Sequence, residues 1–134
     1  MRALIGLAAA AAAAVALASC GTATEDLMTI ERRFAETGVQ VRLRVTNDGR
    51  ASCGAGTLQR LTSQTLLDAR EVKRALRPLA RRGAAFARPR PDRSSYVVRS
   101  FDGVVRWDEG ARGPPALGRA ALLQLRLERS LCRE

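Results

Sequence analysis

Apolar and polar positions alternate in the early part of the chain, a pattern typical of strands with one buried face. Met28, Ile30 and Phe34 alternate with polar residues, and the alternation is complete over residues 39–45. Two such runs around a Gly-containing turn predict an antiparallel hairpin. An Asn-Asp-Gly turn then predicts a short third strand over residues 51–54.

The apolar spacing then changes from two residues to three or four, which predicts a helix. Thr65 and Asp68 have the spacing of a capping box and are expected to begin it. Pro78 is expected to kink or end this helix, and Gly83 is a plausible stop.

A second hairpin is predicted by Asp102-Gly103, a pair favoured in two-residue turns. A loop made of these two residues places Phe101 opposite Val104 on paired strands. Because aromatic residues are few, we expect the Phe101 ring to lie in the core. The predicted core face of this hairpin carries four further side chains: Tyr96, Val98, Val105 and Trp107.

A final helix is predicted after Pro114-Pro115, with apolar spacing that continues to Cys132. The element order is therefore two or three strands, a helix, a hairpin and a helix. This order predicts an α+β fold, a small antiparallel sheet of four to five strands with two helices packed on one face. We expect a single domain over residues 27–134.

The N-terminal segment has the features of an export signal. After Met1-Arg2, the fifteen residues 4–18 are uncharged and rich in Ala, and they are fewer than the ~20 that span a bilayer. The alternative is a buried Ala-rich helix in a cytosolic protein. The run ends in Leu17-Ala18-Ser19-Cys20, which resembles the lipobox of bacterial lipoproteins.

The lipobox resemblance implies where the protein lies in the cell. Residues 1–19 would be a lipoprotein signal peptide, removed by cleavage, and Cys20 would carry a diacylglycerol. Residues 20–26 would form a lipidated tether that holds the domain at the extracytoplasmic face of the cell membrane. The partner implied by this anchor is the membrane itself.

Two cysteines remain once Cys20 is assigned to the lipid. Outside the cytoplasm a disulfide between Cys53 and Cys132 is the expected state. The alternative is two free, buried thiols. A redox-active pair is disfavoured because the spacing is not Cys-x-x-Cys.

The chain offers little that could carry catalysis. It contains no histidine, which excludes Ser-His-Asp and Cys-His pairs and His-ligated zinc. Cys53-Gly54-Ala55-Gly56 lacks the lysine of a phosphate loop and is better explained as a plain turn. Asp108 and Glu109 are neighbours on a strand, so their side chains point to opposite faces. We therefore expect no enzymatic activity, no metal and no cofactor.

The charge balance is strongly basic, with 23 Lys and Arg against 13 Asp and Glu. Five basic residues share the polar side of the first predicted helix: Arg70, Lys73, Arg74, Arg77 and Arg81. Export removes nucleic acid as a partner. Anionic lipid headgroups or acidic wall polymers remain, at ~1 kcal/mol per basic residue near a charged surface. The competing interpretation is a solvated face, with Arg in place of Lys for genomic reasons.

The C-terminal part of the chain contains four motifs in a characteristic order: Tyr96-Val97-Val98-Arg99, Asp102-Gly103, Arg106-Trp107-Asp108-Glu109-Gly110 and Pro114-Pro115-Ala116-Leu117. With the N-terminal hairpin, over roughly residues 28–128, the chain resembles the emfourin family, small bacterial inhibitors of thermolysin-type metalloproteases. The chain has Phe34-Ala35-Glu36-Thr37-Gly38 where that family has a Gly-Gly-Phe turn, so no inhibitory residue is transferred. The resemblance implies a protein-binding inhibitor of a metalloprotease. Together with the lipobox and the lack of catalytic residues, it predicts a non-catalytic cell-envelope lipoprotein that restrains an extracytoplasmic metalloprotease. The alternative function is the binding of anionic lipid or wall polymers through the arginine-rich face.

Overall fold

A computed structural model describes residues 25–87 and 92–133. The predicted signal peptide, Cys20 and most of the tether lie outside the described residues. The elements are β1 (Asp26–Arg33), β2 (Gln40–Thr46), β3 (Arg50–Cys53), β4 (Gln59–Arg60), α1 (Ser63–Arg81), β5 (Ala85–Phe86), β6 (Ser95–Ser100), β7 (Gly103–Asp108) and α2 (Pro115–Leu131). Neither helix in this part of the chain is long and apolar enough to cross a membrane.

The strands form one mixed sheet in the order β4-β3-β2-β1-β6-β7-β5. The predicted α+β class with two helices is confirmed. The expected antiparallel sheet of four to five strands is wrong, because the described residues form seven strands and β5 runs parallel to β7. The two-residue strands β4 and β5 are too short to show a period. Strand β5 is defined by its pairing with the distant strand β7. Beside it, the Arg106 amide donates a hydrogen bond to the Ala84 carbonyl at 3.1 Å.

One face of the sheet builds the core. Ile30 lies opposite Leu43 on one side and Val98 on the other, and Val98 lies opposite Val105. All four side chains are buried. The buried residues of both helices belong to the same apolar cluster, so both helices cover this face, as predicted. The buried apolar residues of the described chain all lie between residues 27 and 127, so a chain that begins at residue 21 contains the whole core.

The β6–β7 hairpin does not have the predicted register. Ser100 pairs with Gly103, so the loop consists of Phe101 and Asp102, and Tyr96 lies opposite Trp107. The predicted register is displaced by two residues along β7. Since two is an even number, the alternation still sends the same side chains inward. The predicted core face is therefore confirmed, but Phe101 lies in the loop and not in the core.

Gly103 explains why the turn lies one residue earlier than its sequence predicts. Its φ is +135°, and a Cβ at this position would lie 2.2 Å from the backbone oxygen of Ala80. Only glycine allows the C-terminal end of α1 to approach the strand this closely. The glycine of the Asp-Gly pair therefore serves helix packing, and the turn is made by the two residues before it.

Helix α1 begins earlier than the capping-box spacing predicts. Thr62 is the N-cap, and its hydroxyl accepts a hydrogen bond from the Thr65 amide at 3.2 Å. Asp68 lies inside the helix, so the predicted box is wrong. The helix continues through Pro78, which lies on the exposed side, and ends shortly before Gly83.

The predicted disulfide is present between Cys53 and Cys132, with a Cα–Cα distance of 5.4 Å. It joins β3 to the residue that follows α2, across 79 residues of sequence. The last helix is therefore covalently tied to the early part of the sheet.

The two helices cross the sheet near opposite ends of its strands. Helix α1 runs from the β2–β3 turn, where Leu66 lies against Gly49, to Gly103 at the β6–β7 tip. Helix α2 lies nearer the other end, where Glu128 contacts Arg32 late in β1. We call the first end the α1 pole, made of the start of β1, the β2–β3 turn, the β6–β7 loop and the outer side of α1. The other end, with the β1–β2 connection, is the α2 pole.

Candidate anionic-surface site on helix α1

Helix α1 separates its residues sharply into a buried and a charged side. Its buried residues recur at helical spacing: Ala69, Val72, Leu76, Leu79 and Ala80. Packing this stripe on the sheet turns the five predicted basic residues outward. We call this set, Arg70, Lys73, Arg74, Arg77 and Arg81, the basic face.

Four of these five side chains border a single depression. Arg70, Lys73, Arg74 and Arg77 line a hollow of about 310 Å³, together with the apolar side chain of Leu27. Leu27 belongs to the bulged start of β1, which lies beneath the helix. The packing of α1 over the first strand therefore gathers these cations at the α1 pole.

Arg81, the fifth predicted residue, does not line this depression, because it turns toward the β6–β7 loop. The Asp102 carboxylate lies 3.4 Å from Arg77 and 3.8 Å from Arg81, and its side chain is only 12% exposed. Asp102 thus offsets part of the positive charge at the C-terminal end of the basic face.

The remaining cations are less neutralised. The Arg70 guanidinium donates to the backbone carbonyl of Asn47 at 3.3 Å, a contact that leaves its charge in place. Within residues 25–87 and 92–133, no carboxylate lies within ion-pair distance of Lys73 or Arg74. The centre of the basic face is therefore its most positive part.

A second, wider hollow adjoins the basic face. Its volume is about 670 Å³, and it is lined by Glu25, Asp26, Asn47, Lys73 and Phe101. Lys73 borders both hollows and so connects them. The Phe101 ring is 98% exposed, so the prediction that it lies in the core is wrong.

The β2–β3 turn beside this hollow holds a carboxylate in its charged form. The Arg50 guanidinium bonds the Asp48 carboxylate at 2.7 Å, and the Thr46 hydroxyl donates to the same group. These hydrogen bonds lower the pKa of Asp48 below its ordinary value of 3.8.

The open face of the sheet is also rich in arginine, but a buried carboxylate occupies its centre. Glu31 accepts hydrogen bonds from Gln40 at 2.7 Å and from Arg42 at 2.9 Å, and Arg99 lies 3.8 Å away. Asp26 bonds Arg44 at 2.5 Å on the same face. Arg42, Arg44 and Arg99 are thus structural partners of acids, while Arg33 and Arg106 line a hollow of about 250 Å³ together with Glu31. The buried Glu31 carboxylate distinguishes this face from the basic face of α1.

The other residues considered for chemistry have structural roles. Tyr96 and Trp107 stack with ring centroids 5.1 Å apart and are buried, which confirms their predicted core position. The Gly56 amide bonds the Cys53 carbonyl at 2.9 Å in a plain turn. The part of the chain that the structure describes holds no group of three side chains suited to a metal ion.

Comparison of the chain with protein-family models, with curated proteins and with solved structures finds no match. The lipobox and the resemblance to the emfourin family therefore stay predictions from the sequence.

Proposed function

We propose that this chain is a lipid-anchored, non-catalytic protein of the cell envelope that binds anionic surfaces through the basic face of α1. The observation that carries the proposal is the convergence of Arg70, Lys73, Arg74 and Arg77 on one hollow. Among the described residues, no carboxylate lies within ion-pair distance of Arg70, Lys73 or Arg74.

Both lipid headgroups and acidic wall polymers present anionic oxygens that guanidinium and ammonium groups bind. Each basic side chain near an anionic surface contributes ~1 kcal/mol. The two acyl chains of a diacylglycerol on Cys20 would anchor the protein stably by themselves. The basic face would then hold the tethered domain against the anionic surface.

The test is charge reversal on α1 against an equal charge reversal on α2. Lys73→Glu/Arg74→Glu is compared with Arg119→Glu/Arg129→Glu, which alters exposed positions of α2 by the same charge. The chain from residue 21, without the lipid, is sedimented with phosphatidylcholine vesicles that contain or lack phosphatidylglycerol, and with an acidic wall polymer. Both assays are run over a range of salt concentrations.

We expect the α1 reversal to reduce anionic binding by at least about tenfold, because two sites change sign near the surface. The α2 reversal should reduce it far less, and salt should weaken binding of the parent protein. Equal losses for the two variants would mean that net charge alone attracts the protein, which contradicts the proposal.

The α2 pole favours a second function, the restraint of an extracytoplasmic metalloprotease. The β1–β2 connection, residues 34–39, projects there as an ordered exposed loop. The Phe34 amide bonds the Val39 carbonyl at 2.9 Å, and the Gly38 amide bonds the Phe34 carbonyl at 2.8 Å. An ordered loop suits an inhibitor that enters a cleft, and the resemblance to the emfourin family supports the same class of partner.

This second function is tested by titrating a thermolysin-type metalloprotease with the protein at low and high salt. We expect a stoichiometric loss of protease activity that tolerates salt, with the added protein left uncleaved. Full activity of several such proteases at an excess of the protein would reject the inhibitor function and leave the anionic-surface proposal intact.

A further inference from the structure

Phe101 is placed where a soluble protein gains nothing from an aromatic ring. It lies at the tip of the β6–β7 loop and is 98% exposed. Among the described residues, the next most exposed large apolar side chain is Leu122, at 58%. A fully hydrated ring forgoes the free energy that burial would give it. A single exposed apolar residue is common on protein surfaces, so the informative feature of Phe101 is its position in one hollow with Lys73 of the basic face.

The loop holds the ring outward in a defined way. The Asp102 side chain next to it is fixed between Arg77 and Arg81 of α1. The Asp102 amide bonds the Ser100 hydroxyl at 3.3 Å, which closes the turn. The ring therefore projects from a braced loop, so little ordering is needed when it binds.

The surroundings of Phe101 are cationic. The ring and Lys73 line the same hollow, and the rest of the basic face continues from Lys73 along α1. An aromatic ring with a basic rim is the composition of an interfacial membrane site, where the ring enters the boundary between headgroups and acyl chains and the cations bind phosphates.

The acidic groups at this pole are largely matched. Asp26 forms an ion pair with Arg44, Asp48 with Arg50, and Asp102 with two arginines of α1. Glu25 is the remaining acid in the hollow beside Phe101. Arg70, Lys73 and Arg74, which no described carboxylate pairs with, outnumber Glu25.

The described chain begins at this pole, close in sequence to the predicted lipid anchor at Cys20. Glu25, the first described residue, lines the hollow beside Phe101. Cys20 precedes it by five residues, which can span at most ~17 Å when extended. A lipid on Cys20 would therefore enter the bilayer within reach of the Phe101 loop.

We infer that the α1 pole is a membrane-docking surface for an anionic bilayer, in which Phe101 inserts its ring at the interface while the basic face binds headgroup phosphates. This inference rests on the proposed function and commits it to lipid instead of wall polymer. It also orients the domain, with the α1 pole on the membrane and the β1–β2 loop at the far side.

The test separates insertion of the ring from attraction of the charges. Phe101→Ala is compared with Leu122→Ala, which removes an exposed apolar side chain on α2. Both are made in the chain from residue 21 and sedimented with vesicles of equal parts phosphatidylcholine and phosphatidylglycerol. Near-ultraviolet circular dichroism of the stacked Tyr96–Trp107 pair checks that each variant is folded.

We expect Phe101→Ala to bind about tenfold more weakly, with the salt dependence of the parent, and Leu122→Ala to bind as the parent does. In the full lipidated chain, Phe101→Trp should shift its emission to shorter wavelength on these vesicles and be quenched by brominated acyl chains. The native Trp107 is buried and gives a constant background.

The contrary results distinguish failure of the membrane inference from failure of the proposed function. If Phe101→Ala binds like the parent while Lys73→Glu/Arg74→Glu does not, the inference fails and the proposed function stands. If none of these variants changes binding, both fail. Binding to an acidic wall polymer without binding to the vesicles would also overturn the membrane inference. So would an emission of the Phe101→Trp variant that vesicles leave unchanged.

Discussion

Helices α1 and α2 lie side by side on one face of the sheet but are attached to it by different means. Helix α2 is tied by the disulfide that follows it and by the Arg32–Glu128 ion pair at 3.2 Å. Helix α1 is attached by its apolar stripe and by the close contact of Ala80 with Gly103. Helix α1 also makes polar contacts through Arg70, Arg77 and Arg81, but the disulfide does not involve it. The covalent tie thus lies beside α2, and the candidate binding surface lies on α1.

Removing the disulfide should have the largest effect on this comparison. Cys53→Ser/Cys132→Ser frees a loop of 79 residues, which is expected to lower the free energy of unfolding by about 4.5 kcal/mol. Urea denaturation of the oxidised parent, the reduced parent and the double variant measures the loss. While the variant remains folded, its binding to anionic vesicles should equal that of the parent. A drop in binding would mean that the two helices are not independent.

Gly103→Ala is expected to weaken the packing of α1 on strand β7. The added Cβ would meet the Ala80 backbone oxygen at 2.2 Å, and backbone cannot move aside cheaply, so we expect a loss of about 3 kcal/mol. Gly118→Ala in α2 is the matched control, because nothing lies within 4 Å of its added Cβ. That change should stabilise the protein by about 0.8 kcal/mol, as expected for glycine in a helix. Thermal unfolding of both variants decides the point.

Asp102→Asn sharpens the difference in charge between the helices. The substitution removes the carboxylate that Arg77 and Arg81 share and keeps the size of the side chain. Vesicle binding is expected to increase about fivefold, the equivalent of one charge near an anionic surface. Unchanged binding would show that these arginines do not face the membrane, whereas weaker binding would mean that the ion pairs act chiefly by holding the Phe101 loop. Asp68→Asn, which alters a carboxylate paired with Arg126 of α2, serves as the control.

The smallest expected effect concerns the β2–β3 turn at the α1 pole. Because the folded state lowers the pKa of Asp48, the carboxylate stabilises the protein above its ordinary pKa, and this contribution is lost as the pH falls through the lowered value. Asp48→Asn should therefore unfold at a slightly lower temperature than the parent at neutral pH. The difference should vanish in strong acid. A gap of the same size at both pH values would contradict the assigned cause.

The sequence predicts the faces of the elements better than their pairing. Alternation on β6 and β7 places Tyr96 and Trp107 in the core whichever turn is used. Every second residue of a strand faces the core, and a register shift of two residues keeps the same side chains on that face. The register depends on the approach of Ala80 to Gly103, a contact between residues far apart in the chain. Local turn preference therefore predicts the wrong loop. The scarcity of aromatic residues likewise predicts a core position for Phe101, which the observed loop exposes.

The candidate site divides in the same way. Helical spacing alone puts the five cations on one side of α1, and the structure brings four of them to one hollow. Their position beside Leu27 and Phe101 depends on how α1 crosses the sheet, which no local pattern encodes. Strand β5 was missed on similar grounds, because its two residues pair with β7 only after α1 has returned the chain to that edge.

The two-residue strands β4 and β5 are the outer strands of the sheet, and their short length affects self-association. A long unpaired edge offers a row of amide and carbonyl groups on which a strand from another molecule can grow. Here each outer strand offers only two residues, and β4 carries the charged side chain of Arg60. Proteins concentrated on a surface meet far more often than in free solution. Such short edges would keep neighbouring copies from joining their sheets into fibrils.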